Sequence, residues 1–241
     1  MHMDKLYESD TKGGPPLKKA QKKDPRHLSW QKLTWIFTLA CLFGVELEVI
    51  WCRFLTGRWE SRTGLVFGPF NPVYGFGAVL FTLCLCRGKP KPLWLLFLAA
   101  AVLGGGFEYL CSWLQEQVLG TVSWDYGAEP FAIGGGRTSL LYAAAWGVLG
   151  AVWARWVYPA LSRLTVRIPH RAGTLAAGVL ALFMAADLTV SFLAVLRQSE
   201  RRQGRAAPTA IGRELDRRWP DEVLKEIYPS MKPVSEKEEN K

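Results

Sequence analysis

Five stretches of about twenty residues, almost unbroken in their apolar character, fill the middle of this 241-residue chain. They run roughly over residues 33–53, 70–87, 93–119, 138–158 and 173–196. Half-buried strands and soluble helices interleave polar residues at periods of 2 or 3.6, and these stretches do not. Twenty helical residues cross the roughly 30 Å hydrocarbon layer of a bilayer. A backbone in lipid must also satisfy its own hydrogen bonds, which favours helices. The sequence therefore predicts an all-α polytopic membrane protein of about five transmembrane helices.

A mean hydropathy of only +0.06 conceals this, because two charged ends dilute the middle. Residues 1–32 carry eight Lys/Arg and four acids, and residues 197–241 carry eleven and nine. The expected organisation is a basic cytoplasmic tail over 1–32, a transmembrane domain over 33–196 and a charged C-terminal tail over 197–241. About thirty polar residues precede the first span and no small-residue cleavage site follows it, so it reads as an uncleaved anchor. The net charge of +9 lies in the tail and in short connections, where cations orient a protein against the bilayer. No nucleic-acid reader module accompanies it, so no nucleic-acid partner is expected. Cys41, Cys52, Cys84, Cys86 and Cys111 lie in or beside apolar runs without a Cys-x-x-Cys pair, and the three histidines lie in polar segments. Neither a metal nor a cofactor is expected from that distribution.

The same cations suggest a topology. The 1–32 tail, the turn 87–92 (Arg87, Lys89, Lys91) and the connection 155–171 (Arg155, Arg163, Arg167, Arg171) hold fifteen Lys/Arg on one side. The opposing loops hold Arg53, Arg58, Arg62 and Arg137. The richer side is expected in the cytoplasm, with Lys89 and Arg163 there and Trp124 outside. An odd number of spans would then place the Arg-rich segment Arg197–Arg205 outside, against the rule, unless one span is re-entrant.

Two glutamates sit inside these runs, each four residues after a glycine: Gly44-Val-Glu-Leu-Glu48 and Gly104-Gly-Gly-Phe-Glu108. A charged carboxylate at membrane depth costs about 2.5–3.5 kcal/mol on insertion scales, so it faces a partner or a polar cavity. Four-residue spacing puts each glycine on its glutamate's helix face, where a neighbouring backbone or a ligand approaches closely. Glu48 and Glu108 are thus expected to line a shared polar site, with Gly44 and Gly104 shaping it. The plainer alternative for Glu48 is snorkelling or an ion pair with Arg53. Asp187, the one ionisable residue in the last run, should face the bundle, either in that pathway or as a packing hydrogen bond. Each half shows a Gly-x-x-x-Glu helix, a loop of about twenty residues and a glycine-rich second helix. This reads as a parallel repeat, with a substrate site at the repeat interface, although two Gly/Pro-rich loops can also coincide.

In the second loop, Trp124-Asp125-Tyr126 places an acid between two aromatics that also suit a headgroup anchor. Gly134-Gly-Gly-Arg137 suits a backbone anion nest with a charge beside it. It lacks the lysine of a nucleotide-binding loop. No nucleotide-hydrolysis motif occurs, so ATP-driven transport would need a separate ATPase subunit. In the C-terminal tail, Ile211, Leu215, Val223, Leu224 and Ile227 form a weak amphipathic pattern interrupted by Pro220. It is expected on the surface and dispensable for folding.

Taken together, these motifs resemble the bacterial membrane proteins grouped as ABC-transporter type IV (CmpB-like). That family's pattern has Gly-Trp-x-x-Glu-Val on a helix, matched here by Gly44 and Glu48-Val49. Its following Asn-Arg-Gly-Phe-Leu-x-Gly-Pro-x-x-Pro-Ile-Tyr-Gly is matched by Gly64, Gly68-Pro69 and Pro72-Val73-Tyr74-Gly75. Glu108-Tyr109, Trp124-Asp125-Tyr126, Gly136-Arg137 and Trp146-Gly147 follow in the family's order, over roughly residues 38–196. Two positions depart: the family's Asn-Arg is Arg62-Thr63 here, and its asparagine before Gly-Arg is missing.

The resemblance implies a membrane protein of the bacterial inner membrane, a transport or permease-like subunit. Its pathway residues would be Glu48, Glu108, Asp125, Tyr126, Arg137 and Asp187. Gly44, Gly68, Pro69, Pro72, Tyr74, Gly75 and Gly104 would shape its cavity and loops. Its partners would be the bilayer and a separate ATPase subunit or a second copy of the chain. Two alternatives stand beside it: an embedded enzyme acting on a lipid or lipid-linked substrate through Glu108, Asp125 and Arg137, and a structural or regulatory partner without a ligand.

Overall fold

The computed structural model describes residues 28–235, without the side chains of 166, 167 and 170. Helix α1 (Trp30–Thr56) starts at Ser29, whose hydroxyl accepts the Lys32 N–H, and stops at Gly57 in the left-handed conformation. Helix α2 (Pro72–Leu85) opens on a proline, whose missing N–H would be unpaired there anyway, and the Asn71 side chain caps it. Helix α3 (Leu93–Leu119) runs from the proline-bearing turn to left-handed Gly120. Helix α4 (Leu140–Val152) continues through a π-helical turn (Trp153–Val157) into α5 (Tyr158–Arg167). Helix α6 (His170–Arg202) follows Pro169.

Among the described residues, four runs are long and apolar enough to cross a membrane: Trp30–Thr56, Leu93–Leu119, Leu140–Thr165 and Arg171–Arg202. The shorter α2, 14 residues, measures about 21 Å. With the loop before it, it passes between the same two ends of the bundle. Side chains such as Phe43, Phe54, Val102 and Leu182 point outward. Polar Thr82, Ser112, Glu108 and Asp187 are buried. That inverted arrangement suits lipid as the outer solvent. The chain is a multi-pass helical membrane protein.

The alternating helices give the bundle a loop end, with segments 57–71 and 120–139, and a turn end, with 86–92 and the α5–α6 junction. Helix α3 packs most extensively on α4, and α1 on α2. Glycine makes both contacts possible, because a Cβ at Gly104 would overlap the Trp146 side chain and one at Gly44 would overlap Tyr74. Close approach through small residues is how membrane helices gain dispersion contact. Phe81, Leu85, Leu96, Ala100, Trp146 and Ala151 form the largest buried apolar cluster, between α2, α3 and α4.

Two sequence expectations change. The helix of the fourth predicted span does not stop near 158 but continues through Pro159 to Arg167. Proline removes one hydrogen bond and crowds the preceding turn; the π-helical turn just before it widens the helix where that crowding falls.

The C-terminal tail is not a loose surface segment. Helices α7 (Ala210–Arg218) and α8 (Asp221–Ile227) fold back on the loop end. Leu224 is fully buried with Ala194 and Val195 of α6 and with Tyr228, and Val66 and Leu119 pack around them. Strand β4 (Lys232–Pro233) pairs antiparallel with β1 (Thr121–Val122), setting Thr121 opposite Pro233. A second short ladder, β2 (Ala132–Ile133) with β3 (Thr138–Ser139), closes the other loop. Arg197 and Arg201, on the part of α6 that extends past the apolar run, both bind Asp216. The tail therefore lies at the same end as both loops.

Candidate functional site

Glu48 is half-buried on α1 and Glu46 is exposed on the opposite face. Glu48 Oε2 accepts a hydrogen bond from Asn71 Nδ2 at 3.1 Å. Asn71 also accepts the Val73 N–H at 3.1 Å to cap α2, and donates to the Arg62 carbonyl at 3.3 Å. One side chain thus ties the end of the loop, the start of α2 and the carboxylate together. The Tyr74 hydroxyl lies within hydrogen-bonding reach of Glu48, and the Arg62 charge acts on it. Arg62 Nη2 donates to Cys52 Sγ at 2.8 Å and to Glu60 Oε2 at 3.1 Å. Burial lowers the basicity of Arg62, but the Cys52 bond and the Glu48 and Glu60 charges outweigh it, so the guanidinium stays charged. Among the described residues Arg53 pairs with no glutamate; it lies over the Trp59 ring, 5.6 Å from its centroid.

Glu108 is 6% exposed on α3. Its Oε1 accepts the Tyr126 hydroxyl at 3.1 Å and its Oε2 accepts the Thr138 hydroxyl at 2.7 Å. Trp146 is within hydrogen-bonding reach as well. Tyr126 stacks on Tyr142 with centroids 3.8 Å apart, and Tyr74 lies 5.8 Å from Trp146. Burial first, and then the Glu108 carboxylate, hold the Tyr126 phenol well above its ordinary range, so it stays a donor. Glu48 and Glu108 lie close enough for their charges to interact, and both act on Tyr74. Two helices thus each carry a carboxylate whose charge acts on Tyr74.

The remaining predicted residues lie elsewhere. Arg137 binds Glu116 through Nε at 3.1 Å and Nη2 at 2.7 Å, and Nη1 donates to the Gly134 carbonyl at 2.6 Å. Gly134, Gly135 and Gly136 all have left-handed φ, 62°, 73° and 87°, which other residues rarely adopt. The segment closes on its own arginine. Asp125 is exposed and accepts the Gly127 N–H at 2.9 Å, a local turn. Asp187 Oδ1 accepts the Phe67 N–H and the Ser191 hydroxyl, each at 3.2 Å, and Ser191 accepts the Val66 N–H at 2.9 Å. This pair fastens the first loop to α6. Gly68, with φ 73° before Pro69, turns that loop, and Gly75 admits Cys41 and Phe37 of α1.

Sequence reasoning did not select Arg62, Asn71, Thr138 or Trp146 for this region, nor Glu116 as the partner of Arg137. Asn71-Pro72 and Thr138-Ser139 carry helix-start signatures, so the donors' places were readable. That they would reach Glu48 and Glu108, 23 and 30 residues away, was not.

A family model described as "Putative ABC-transporter type IV" matches residues 35–192, which include most of α1, all of α2 to α5 and most of α6. No curated protein and no solved structure matches the chain. Both carboxylates and their donors lie inside the matched region, and the docked tail lies outside it. Related through that family to membrane transport, this multi-pass protein belongs to the Putative ABC-transporter type IV family.

Proposed function

We propose that this protein is a permease-like transport subunit whose intramembrane site is built on Glu48 and Glu108. The carrying observation is that carboxylates on two separate helices both act on Tyr74, and each takes hydroxyl or amide donors. Keeping two such groups inside a bilayer protein is costly, and intramembrane acids commonly mark ion or proton routes. Two carboxylates among aromatic rings favour a proton or a cation over an anion. Tyr126 would act as gatekeeper, since its hydroxyl covers Glu108 from the loop end. Asp187 and Arg137 serve the loops in this reading, not the pathway. The enzyme alternative needs Glu108, Asp125 and Arg137 on one substrate, and it is disfavoured by the commitment of Arg137 to Glu116.

Over the N-terminal tail and the connecting loops, cations favour a cytoplasmic turn end by fifteen to four, although the docked C-terminal tail adds nine more between Arg197 and Lys232 to the loop end. Reporter fusions at Lys89 and Arg163 would then be inactive for periplasmic markers, and fusions at Trp124 and Gln203 active. ATP as energy source would require a separate ATPase subunit to engage that cytoplasmic end.

The test is a thermal-unfolding screen of purified protein in nanodiscs against protons, alkali cations and small organic amines. A cation that stabilises the wild type should lose its effect in both Glu48→Gln and Glu108→Gln. Stabilisation that persists in both variants would remove these residues from the site.

A further inference from the structure

At the turn end, far from the two carboxylates, an open cavity of about 460 Å³ lies between the α2–α3 turn and α5. Its wall is Cys86, Arg87, Gly88, Lys89, Pro90 and Tyr158. We propose that this cavity binds a phosphate group, and that the group is the headgroup phosphate of an anionic lipid.

The charge argument comes first. Lys32 and Lys91 act electrostatically on Cys86 in the cavity wall, adding to Arg87 and Lys89. Among the described residues, no Asp or Glu occurs in segments 28–45, 83–107 or 150–186, which make up this end of the bundle. A concentration of cations without local carboxylates attracts anions. The α2 C-terminus would oppose this through its free carbonyls. Lys91 Nζ covers two of them, donating to the Leu85 and Arg87 oxygens at 3.3 Å each.

Tyr158 adds a directed donor. Lys32 is 6% exposed, donates to the Tyr158 hydroxyl oxygen at 3.3 Å and lies 4.7 Å from the ring centroid. With its oxygen occupied as acceptor, the Tyr158 O–H is left to donate, and Tyr158 lines the cavity. Gly88, with φ 83°, has open space where a side chain would be, so a ligand can approach the backbone of the turn.

The depth of the cavity selects a lipid. Trp30 at the start of α1, Trp94 at the start of α3 and Trp156 before α5 all project outward, 53%, 64% and 55% exposed. Tryptophans in this position mark the headgroup level, and the cavity lies at the same ends of these helices. Basic pockets between membrane helices hold acidic headgroups in this way.

The test uses the full chain, delipidated and titrated with short-chain phosphatidylglycerol, short-chain phosphatidylcholine or inorganic phosphate. Bound lipid is read by native mass spectrometry and unfolding temperature is read in parallel. Each cation near a membrane anion is worth roughly a fivefold change in affinity. Arg87→Gln/Lys89→Gln should therefore weaken phosphatidylglycerol roughly 25-fold, while Arg58→Gln/Arg213→Gln, at the loop end, should leave it unchanged. Tyr158→Phe should weaken it several-fold. Phosphatidylcholine should bind far less than phosphatidylglycerol. Equal phosphatidylglycerol affinity in the wild type and the Arg87/Lys89 variant would overturn the site, as would equal losses in both double variants. Stabilisation by inorganic phosphate alone, matching that by the lipid, would overturn the lipid as its occupant.

Discussion

The two Gly-x-x-x-Glu halves use the same construction and finish it differently. In the first, Gly44 admits Tyr74, and Glu48 meets Asn71 at the start of α2. In the second, Gly104 admits Trp146, and Glu108 meets Thr138 just before α4. Tyr74 and Tyr142 each stand three residues after their helix's N-cap. What differs is the cover. Glu48 is half-buried beside the charge of Arg62, whereas Glu108 is sealed by the Tyr126 hydroxyl. The shared parts place a carboxylate one helix-start away from its donor. The unshared parts decide whether it is exposed or enclosed.

The largest effect should come from the strap that joins the halves. The tail touches the first loop through Ser61, whose hydroxyl donates to the Ile227 carbonyl at 3.0 Å, and the second through β1. Leu224→Ala, at a fully buried position, should cost about 2–5 kcal/mol in unfolding experiments. Deletion of 206–241 should leave both loops open to protease. A truncated protein with unchanged melting and proteolysis would return the tail to the surface role that its sequence suggested.

Next in size are the helix contacts. Gly44→Ala and Gly104→Ala should each destabilise by about 1–3 kcal/mol through overpacking. Gly106→Ala, with open space beside it, should not. Losses at Gly44 and Gly104 that differ several-fold would break the equivalence of the halves. Smaller again, Thr138→Ala and Asn71→Ala should each cost about 1 kcal/mol for a lost hydrogen bond. Asn71→Ala should exceed Thr138→Ala, since it also removes the α2 cap.

The smallest effect concerns acid. Arg197 and Arg201 hold the Asp216 carboxyl below the ordinary carboxylate range, and Arg217 and Arg218 push Glu214 down to about 2. A depressed folded-state pKa stabilises fully above the unfolded value of about 4 and fades as pH falls below it. Tail docking, followed by Trp219 fluorescence, should be constant from neutral pH to about 5 and weaken only below about 4. Weakening between pH 7 and 5 would assign docking to other groups.

Helix number, glycine faces and the inward Glu108 and Asp187 were legible because each follows from one local rule: apolar length, four-residue spacing, or the cost of charge in lipid. Three features were not. Continuation through Pro159 depends on a π-helical turn that no residue pattern announces. Arg137 finds Glu116 on another element, so its isolated charge near glycines suggested a ligand. The tail's apolar pattern gave no hint of Ala194, Val66 and Leu119, which cover Leu224 and Ile227 from three distant segments, while Ile211 stays exposed. Local pattern fixes which face is apolar, and the fold alone supplies what covers it.

The central claim is that Glu48 and Glu108 act as one site, and a double-mutant cycle on cation-induced stabilisation tests it most directly. Wild type, Glu48→Gln, Glu108→Gln and the double variant would be melted in nanodiscs with and without the stabilising cation. The account predicts that each single change removes nearly the whole stabilisation and the double removes no more, a coupling of about 0.5–3 kcal/mol. Independent, additive losses within about 0.5 kcal/mol would contradict it, because they would mean two separate carboxylates rather than one shared site.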